Sequence, residues 1–405
     1  MNKILSIFLI LCFIFTLIGC GKKPDSADAP TTEPSADPTE SVTQATDESV
    51  PQENAVEQLP MFAVALPLTT EKTFADDGTE IFSTQYQDIS LTVTDPEIAD
   101  KIILDYLNRT NIHDQAEQVL ALAKQSYSED AAYFTPYLAK ITFKPVRIDS
   151  GVLSMFGVHT TYSGGGHGEY VFTSVTYDLV NGDALSLGSI LTQNATEDVI
   201  CGLVLSALSE QKADEQLFEG YEDLVKDGFS RNYKQITDWY FSDTGLCFFY
   251  SPYEIAPFAA GEVIAEIPYS QLTGILKDDY FPVESERVSG TVVAEMFSDS
   301  ALQRFTQFAE VTLDKDGEQF LLYTDKSVYD VRLETVSWLT DGTSYSADNT
   351  VFAAYTLTPG DAIVIKALLS ETMPGLLLSY KTGDQTVSYL VGYDGQNGTV
   401  TLNEV

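Results

Sequence analysis

Positive charge is scarce in this chain. Lys and Arg together number 22 against 60 Asp and Glu among 405 residues, a formal net charge of −38. A surface so poor in cations cannot hold a phosphate backbone, which argues against nucleic acid as a partner, and an anionic bilayer surface would repel it too. It would attract a cationic partner at long range, most strongly at low salt; it would equally keep the chain soluble in an anionic envelope. Histidine is scarcer still, with three copies. HExxH is absent, and His113, His159 and His167 show no metal-ligand spacing, so neither a metal nor a cofactor is called for. GxSxG and GxxxxGK[ST] are also missing, which removes the common serine-nucleophile and phosphate-loop signatures. Only Trp239 and Trp338 offer large rings for stacking on sugars. The four cysteines include no CxxC pair, so disulfide-exchange chemistry has no support. No repeat of fixed period is visible.

What is present begins with a leader. Lys3 precedes the apolar run Ile4–Ile18, about fifteen residues where a membrane span needs ~20. A short apolar core behind a basic start reads as a secretory signal. It ends in Leu17-Ile18-Gly19-Cys20, which resembles a bacterial lipobox. The resemblance implies a lipoprotein signal peptide over 1–19, cleavage before Cys20 and acyl chains on Cys20. The anchor would hold the protein on the outer face of the cytoplasmic membrane, or at the outer membrane of a two-membrane envelope. Two or more chains are needed for stable anchoring. Residues 20–60 are rich in Pro, Ser, Thr, Asp and Glu and lack aromatics; nine carboxylates face Lys22 and Lys23. Such a segment cannot bury enough apolar surface to offset its ordering entropy and reads as a disordered acidic tether. Removing leader and tether still leaves −32 on residues 61–405.

The remainder divides into three expected units of α+β class. In 61–146, Asp95 is a good N-cap and Pro96 a good first helical residue. Ile98, Ile102, Ile103, Tyr106 and Leu107 then recur at helical spacing. A second helix is expected over 114–126, both packing on an antiparallel sheet. In 147–282, strands flank a glycine-rich loop, and Asn181-Gly182-Asp183 signals a hairpin turn. Asn194 and Glu197 form an apparent capping box for a helix over 195–208. Further helices are expected over 216–226 and 269–277. Residues 288–405 carry many short strands with turn signals and predict an all-β sandwich or barrel. Cys201 falls in an apolar helix and Cys247 in an apolar strand. A bond between them would close 46 residues and stabilise by ~4 kcal/mol; two buried free thiols are the other reading.

Two stretches carry the functional question. SGGGHGEY, residues 163–170, places Ser163, Gly164, Gly165, Gly166, His167 and Glu169 between two strands. His167 with Glu169 suggests metal-assisted hydrolysis only weakly, having no third ligand. Glu169 with Glu254 could do acid–base work on a sugar, but in so acidic a chain such pairs are cheap. The glycines also have a purely structural reading: they permit positive φ and close backbone approach, with His167 organising the loop. FFYSPYEIAPFAAG, residues 248–261, presents Tyr253, Pro257 and Phe258 as a rigid aromatic loop, a good contact surface at low entropy cost, or else a core turn. We assign no catalytic residue.

Taken together, YSGGGHGEY, VTYDLVNGDALSLGSIL and FSDTGLCFFYSPYEIAPFAAGEVIAEIPYSQL resemble the extracytoplasmic domain family of the RsiV anti-sigma factor. That domain also occurs in the peptidoglycan deacetylase PdaC. The family pattern GGAHG has Gly166 here in place of Ala. The pattern Y-x-I-A-P-Y-x-x-G appears as Tyr253, Ile255, Ala256, Pro257, Phe258 and Gly261, with Phe for the second Tyr. Thr70 to Val146 resembles the PdaC N-terminal domain. The resemblance implies lysozyme binding, as a decoy, inhibitor or sensor. This chain departs from the family in lacking a sigma-binding segment and a deacetylase domain and in adding the β-rich unit. The expectation is therefore a non-enzymatic, lipid-anchored surface protein that binds a lysozyme-like cationic wall hydrolase through 163–170 and 253–258. Peptidoglycan binding is the alternative, and a hydrolase centred on His167 the more remote one.

Overall fold

The computed structural model describes residues 60–210, 216–283, 289–340, 342 and 344–405. The leader, Cys20 and nearly all of the tether lie outside these residues. In chain order the elements begin with β1 (Ala63–Ala65), β2 (Leu68–Phe74), β3 (Glu80–Gln87), β4 (Ser90–Thr92), α1 (Pro96–Arg109) and α2 (His113–Glu129). There follow β5 (Tyr137–Ile148), β6 (Val152–Tyr162), β7 (Glu169–Asp178), α3 (Leu187–Ile190), α4 (Glu197–Glu210), α5 (Tyr221–Asn232), β8 (Trp239–Phe241), β9 (Gly245–Tyr250) and β10 (Val263–Pro268). The C-terminal part holds β11 (Val292–Met296), α6 (Asp299–Leu302), β12 (Gln307–Thr312), β13 (Glu318–Thr324), β14 (Val328–Trp338), β15 (Tyr345–Leu357), β16 (Asp361–Ala367), β17 (Leu376–Thr382), β18 (Gln385–Asp394) and β19 (Thr399–Glu404). The fold is α+β, with several mostly antiparallel sheets, none closed into a barrel. Among the described residues no helix is long and apolar enough to cross a membrane.

A five-stranded sheet, ordered β2-β3-β5-β6-β7, carries α1 and α2 in the crossover between β3 and its parallel neighbour β5. Asp95 caps α1 as expected, its side chain accepting from Glu97 N at 2.9 Å with Pro96 behind it. The buried stripe is narrower than the sequence suggests. Ala99, Ile102 and Tyr106 face the core, whereas Leu107 is exposed. The boundary drawn between residues 146 and 147 runs through β5, whose ladder with β6 shifts register between Pro145 and Arg147.

The sheet β8-β9-β10 lies between two other layers. Alternation along β9 sorts its side chains by face, as strand geometry requires. Leu246 and Phe248 pack with Ile200, Cys201, Val204 and Phe229 of α4 and α5. Cys247 and Phe249 pack the other way, against Phe156 and Phe172 of β6 and β7. This overturns the possible disulfide: Cys201 and Cys247 are buried free thiols on opposite faces of one sheet. Burial pushes the Cys247 thiol up to about 12. Two helix starts also differ from expectation. Thr196 rather than Asn194 offers its hydroxyl near the start of α4, to Val199 N, while the Asn194 side chain turns to Gly274 O. α5 begins only after Gly220, in left-handed conformation at φ 79°. The stretch 269–277 forms a short 3-10 turn at Tyr269–Gln271 in place of a full helix.

The C-terminal part is a sandwich. The seven-stranded sheet β19-β18-β17-β14-β15-β1-β4 faces the four-stranded sheet β11-β13-β16-β12 across a core that includes Phe320, Leu333, Phe352, Ile363 and Leu378. β1 comes from far upstream and serves two cores at once. Ala63 and Ala65 enter the sandwich core, while Val64, with Leu66 just beyond the strand, enters the core under α1 and α2.

Candidate functional site

β6 and β7 form a hairpin paired up to Thr161 and Glu169, and residues 163–168 close it. The glycines differ in what they do. Gly164 and Gly165 have φ of +95° and +96°, a region that costs a residue with a side chain ~1–2 kcal/mol. A Cβ on Gly164 would also meet the Tyr137 hydroxyl at 2.9 Å, and one on Gly168 would meet Thr161 O at 2.8 Å. Gly166 has neither constraint, with open space around its missing Cβ. The Tyr162 hydroxyl donates to Gly165 O, bracing the loop from its own strand.

The second predicted loop meets the first. Tyr253 sits at φ 71°, rare for a residue with a side chain. It is held there by Tyr253 N donating to Ala256 O (2.9 Å) and Ser251 N donating to the Glu254 carboxylate (2.8 Å). The Ser251 hydroxyl accepts from Phe172 N at 3.0 Å, which ties the loop to β7. Ile255 and Ala256 are buried anchors, and Gly261 at φ 71° ends the turn. Phe258 is thereby laid on His167, with ring centroids 4.6 Å apart and planes 27° apart. Tyr170 packs on the same Phe258 at 4.9 Å and Tyr253 at 6.1 Å. The result is one half-exposed aromatic surface of His167, Tyr170, Tyr253 and Phe258, edged by the exposed Pro257, Ser163 and Glu169.

The polar side chains of His167 and Glu254 are engaged within their own loops. His167 Nδ1 lies 2.9 Å from Gly168 O, so in the tautomer protonated at Nδ1 that nitrogen donates to its own loop. The Glu254 carboxylate is engaged in its turn, and burial first, then the charge of Asp238, lifts it above the usual carboxylate range. His113 starts α2 and His159 lies within β6, where burial lowers its pKa. Among the described residues no three His, Cys, Asp or Glu side chains gather as metal ligands. The sequence reading missed Ser251, whose role depends on a contact 79 residues away.

Comparison with known proteins places a family on part of this architecture. Residues 189–270 match the family described as "Protein of unknown function (DUF3298)", so the chain carries a DUF3298 domain there. That stretch includes α4, α5, the sheet β8-β9-β10 and the 251–261 loop, but not the glycine loop that β6 and β7 bring to it. A crystal structure of a DUF3298 family member from Bacteroides fragilis aligns with a TM-score of 0.41 and 16% identity, over 54% of this chain and 95% of that one. One from Pseudomonas aeruginosa aligns at 0.39 and 15%, over 55% and 97%. No curated protein matches the chain.

Proposed function

We propose that the protein is a lipid-anchored envelope protein that binds a cationic, lysozyme-like wall hydrolase through the surface built from residues 163–170 and 253–258. The observation that carries this reading is the convergence of the two loops, with Phe258 stacked on His167 in a half-exposed aromatic patch. Aromatic rings held rigid by their backbone make contact at little entropic cost. The formal charge of −38 speeds encounter with a cation-rich partner, although it adds more to on-rate than to affinity. The relation to the RsiV and PdaC ectodomains belongs to this proposal and rests on the loop motifs and the DUF3298 match together.

The test is binding of the soluble chain from residue 21 onward to a chicken-type lysozyme, at physiological and at high salt. Micromolar or tighter binding that persists at high salt, weakens about ten-fold or more in Phe258→Ala, and comes with inhibited wall lysis supports the reading. Binding that vanishes at high salt reduces it to acid meeting base. A second reading, peptidoglycan binding, is favoured by the exposure of the Tyr253 ring. It is distinguished by binding that ignores salt and is displaced by wall sugars.

A further inference from the structure

A cavity of about 390 Å³ opens between α5 and the end of the sheet β8-β9-β10. That volume falls within the ~300–1,000 Å³ of ordinary ligand pockets. Phe229, Phe248 and Ile255, which pack together on the side of the sheet turned to α5, form its buried floor. Asp238 and Glu254 stand at its wall with Tyr250, their carboxylates close enough to act on each other and on the Tyr250 hydroxyl. Asp227 and Arg231 also line it, but they pair with each other at 2.5 Å, one turn apart on α5. The two wall carboxylates are therefore the charge left over. Gly228 completes the rim. It sits inside a helix, where glycine is unfavourable, with a negative φ and nothing within 4 Å of where a Cβ would be. Neither backbone conformation nor crowding asks for a glycine there, and its effect is to leave the mouth of the cavity uncovered.

We infer that this cavity is a socket for a primary ammonium group carried on an apolar stem. The stem would lie on the phenylalanine floor and the ammonium between Asp238 and Glu254, where aromatic faces attract cations as well. Partial burial raises both carboxyls above their usual range, and a cation between them would favour their charged forms. The same ammonium could come from a lysine side chain of a polypeptide or from a free amine. The socket shares only the 251–257 loop with the aromatic surface and does not depend on a hydrolase being the partner.

The test titrates the full chain with 4-phenylbutylamine, its uncharged analogue 4-phenylbutanol, and the capped peptide acetyl-Ala-Lys-Ala-amide, following Tyr250 and Phe248 by NMR. Saturable shifts with either amine, about ten-fold or more weaker for the alcohol and in Asp238→Asn/Glu254→Gln, are expected. Gly228→Leu, which replaces a poor helix residue by a good one, should abolish the shifts without lowering the unfolding temperature. Preference for the peptide assigns the ammonium to a polypeptide, and preference for phenylbutylamine assigns it to a free amine; both support the socket. Absence of binding by both amines, equal binding of the alcohol, or unchanged binding in Gly228→Leu overturns it. None of these outcomes turns on lysozyme binding, so the two proposals can fail separately.

Discussion

At the scale of single residues, the glycine loop separates conformational need from accident. Gly164 needs its sign of φ and its emptiness, and Gly168 needs the space taken by Thr161 O, whereas Gly166 needs neither. Gly164→Ala and Gly168→Ala should each destabilise by about 1–3 kcal/mol in urea unfolding. Gly166→Ala should be neutral or stabilise by up to about 1 kcal/mol. The thiols give a second residue-scale expectation. Burial holds both Cys201 and Cys247 in the protonated, unreactive form. Mass-mapped alkylation should find both unmodified in the native protein and both modified in denaturant without reductant; resistance in denaturant would mean that they are joined after all.

At the scale of elements, the sheet β8-β9-β10 shows what pattern reading can and cannot deliver. The strand nature of GLCFFY was legible from its apolar run. Which face each residue takes was not, because a strand buried on both sides has no polar alternation to mark its faces. Hence the pairing of Cys201 with Cys247 stayed open until the register was known. The two binding loops were legible as unusual composition, yet their meeting rests on Ser251 reaching Phe172, a long-range contact with no local signal. The helix starts shifted because Thr196 competes with Asn194 for the same role and Gly220 fixes a later entry. The carboxylates beside α5 add a pH prediction. Asp238 is raised above its ordinary value mainly by burial. Ionising it therefore costs stability as pH rises through its folded pKa, and nothing is lost where it stays protonated. Asp238→Asn should raise the unfolding temperature at pH 7, and the gain should shrink below about pH 4. A gain that persists unchanged in acid would remove burial of the charge as the cause.

On the scale of the whole molecule, three units read from sequence become a more entangled object. The α+β class and the β-rich C-terminal part were visible as changes of periodicity along the chain. That the first strand joins the C-terminal sheet, with β4 on its other side, was not, since Ala63-Val64-Ala65 is too short to announce that Val64 lies opposite Ala353, 289 residues away. The two tryptophans report on different regions, Trp239 in the layer of α4 and α5 and Trp338 in the sandwich sheet. With Trp239→Phe and Trp338→Phe variants as single-tryptophan reporters, unfolding should follow one shared transition. Val64→Ala, which trims the core under α1 and α2, should lower the unfolding free energy by about 1–3 kcal/mol as read by either tryptophan. Separate midpoints would mean that the sandwich and the layer of α4 and α5 unfold independently.

β1 also sets how the protein answers a mechanical load. It pairs antiparallel with β15 on one side and β4 on the other, three residues each way. Tension drawn along the chain at Met61 would act lengthwise on those ladders, so that their hydrogen bonds share the force in shear instead of parting one by one. The same displacement would withdraw wedges from two hydrophobic cores together. The fold thus behaves toward a pull from that end as a latch, closed until one short strand slides and then open on both sides.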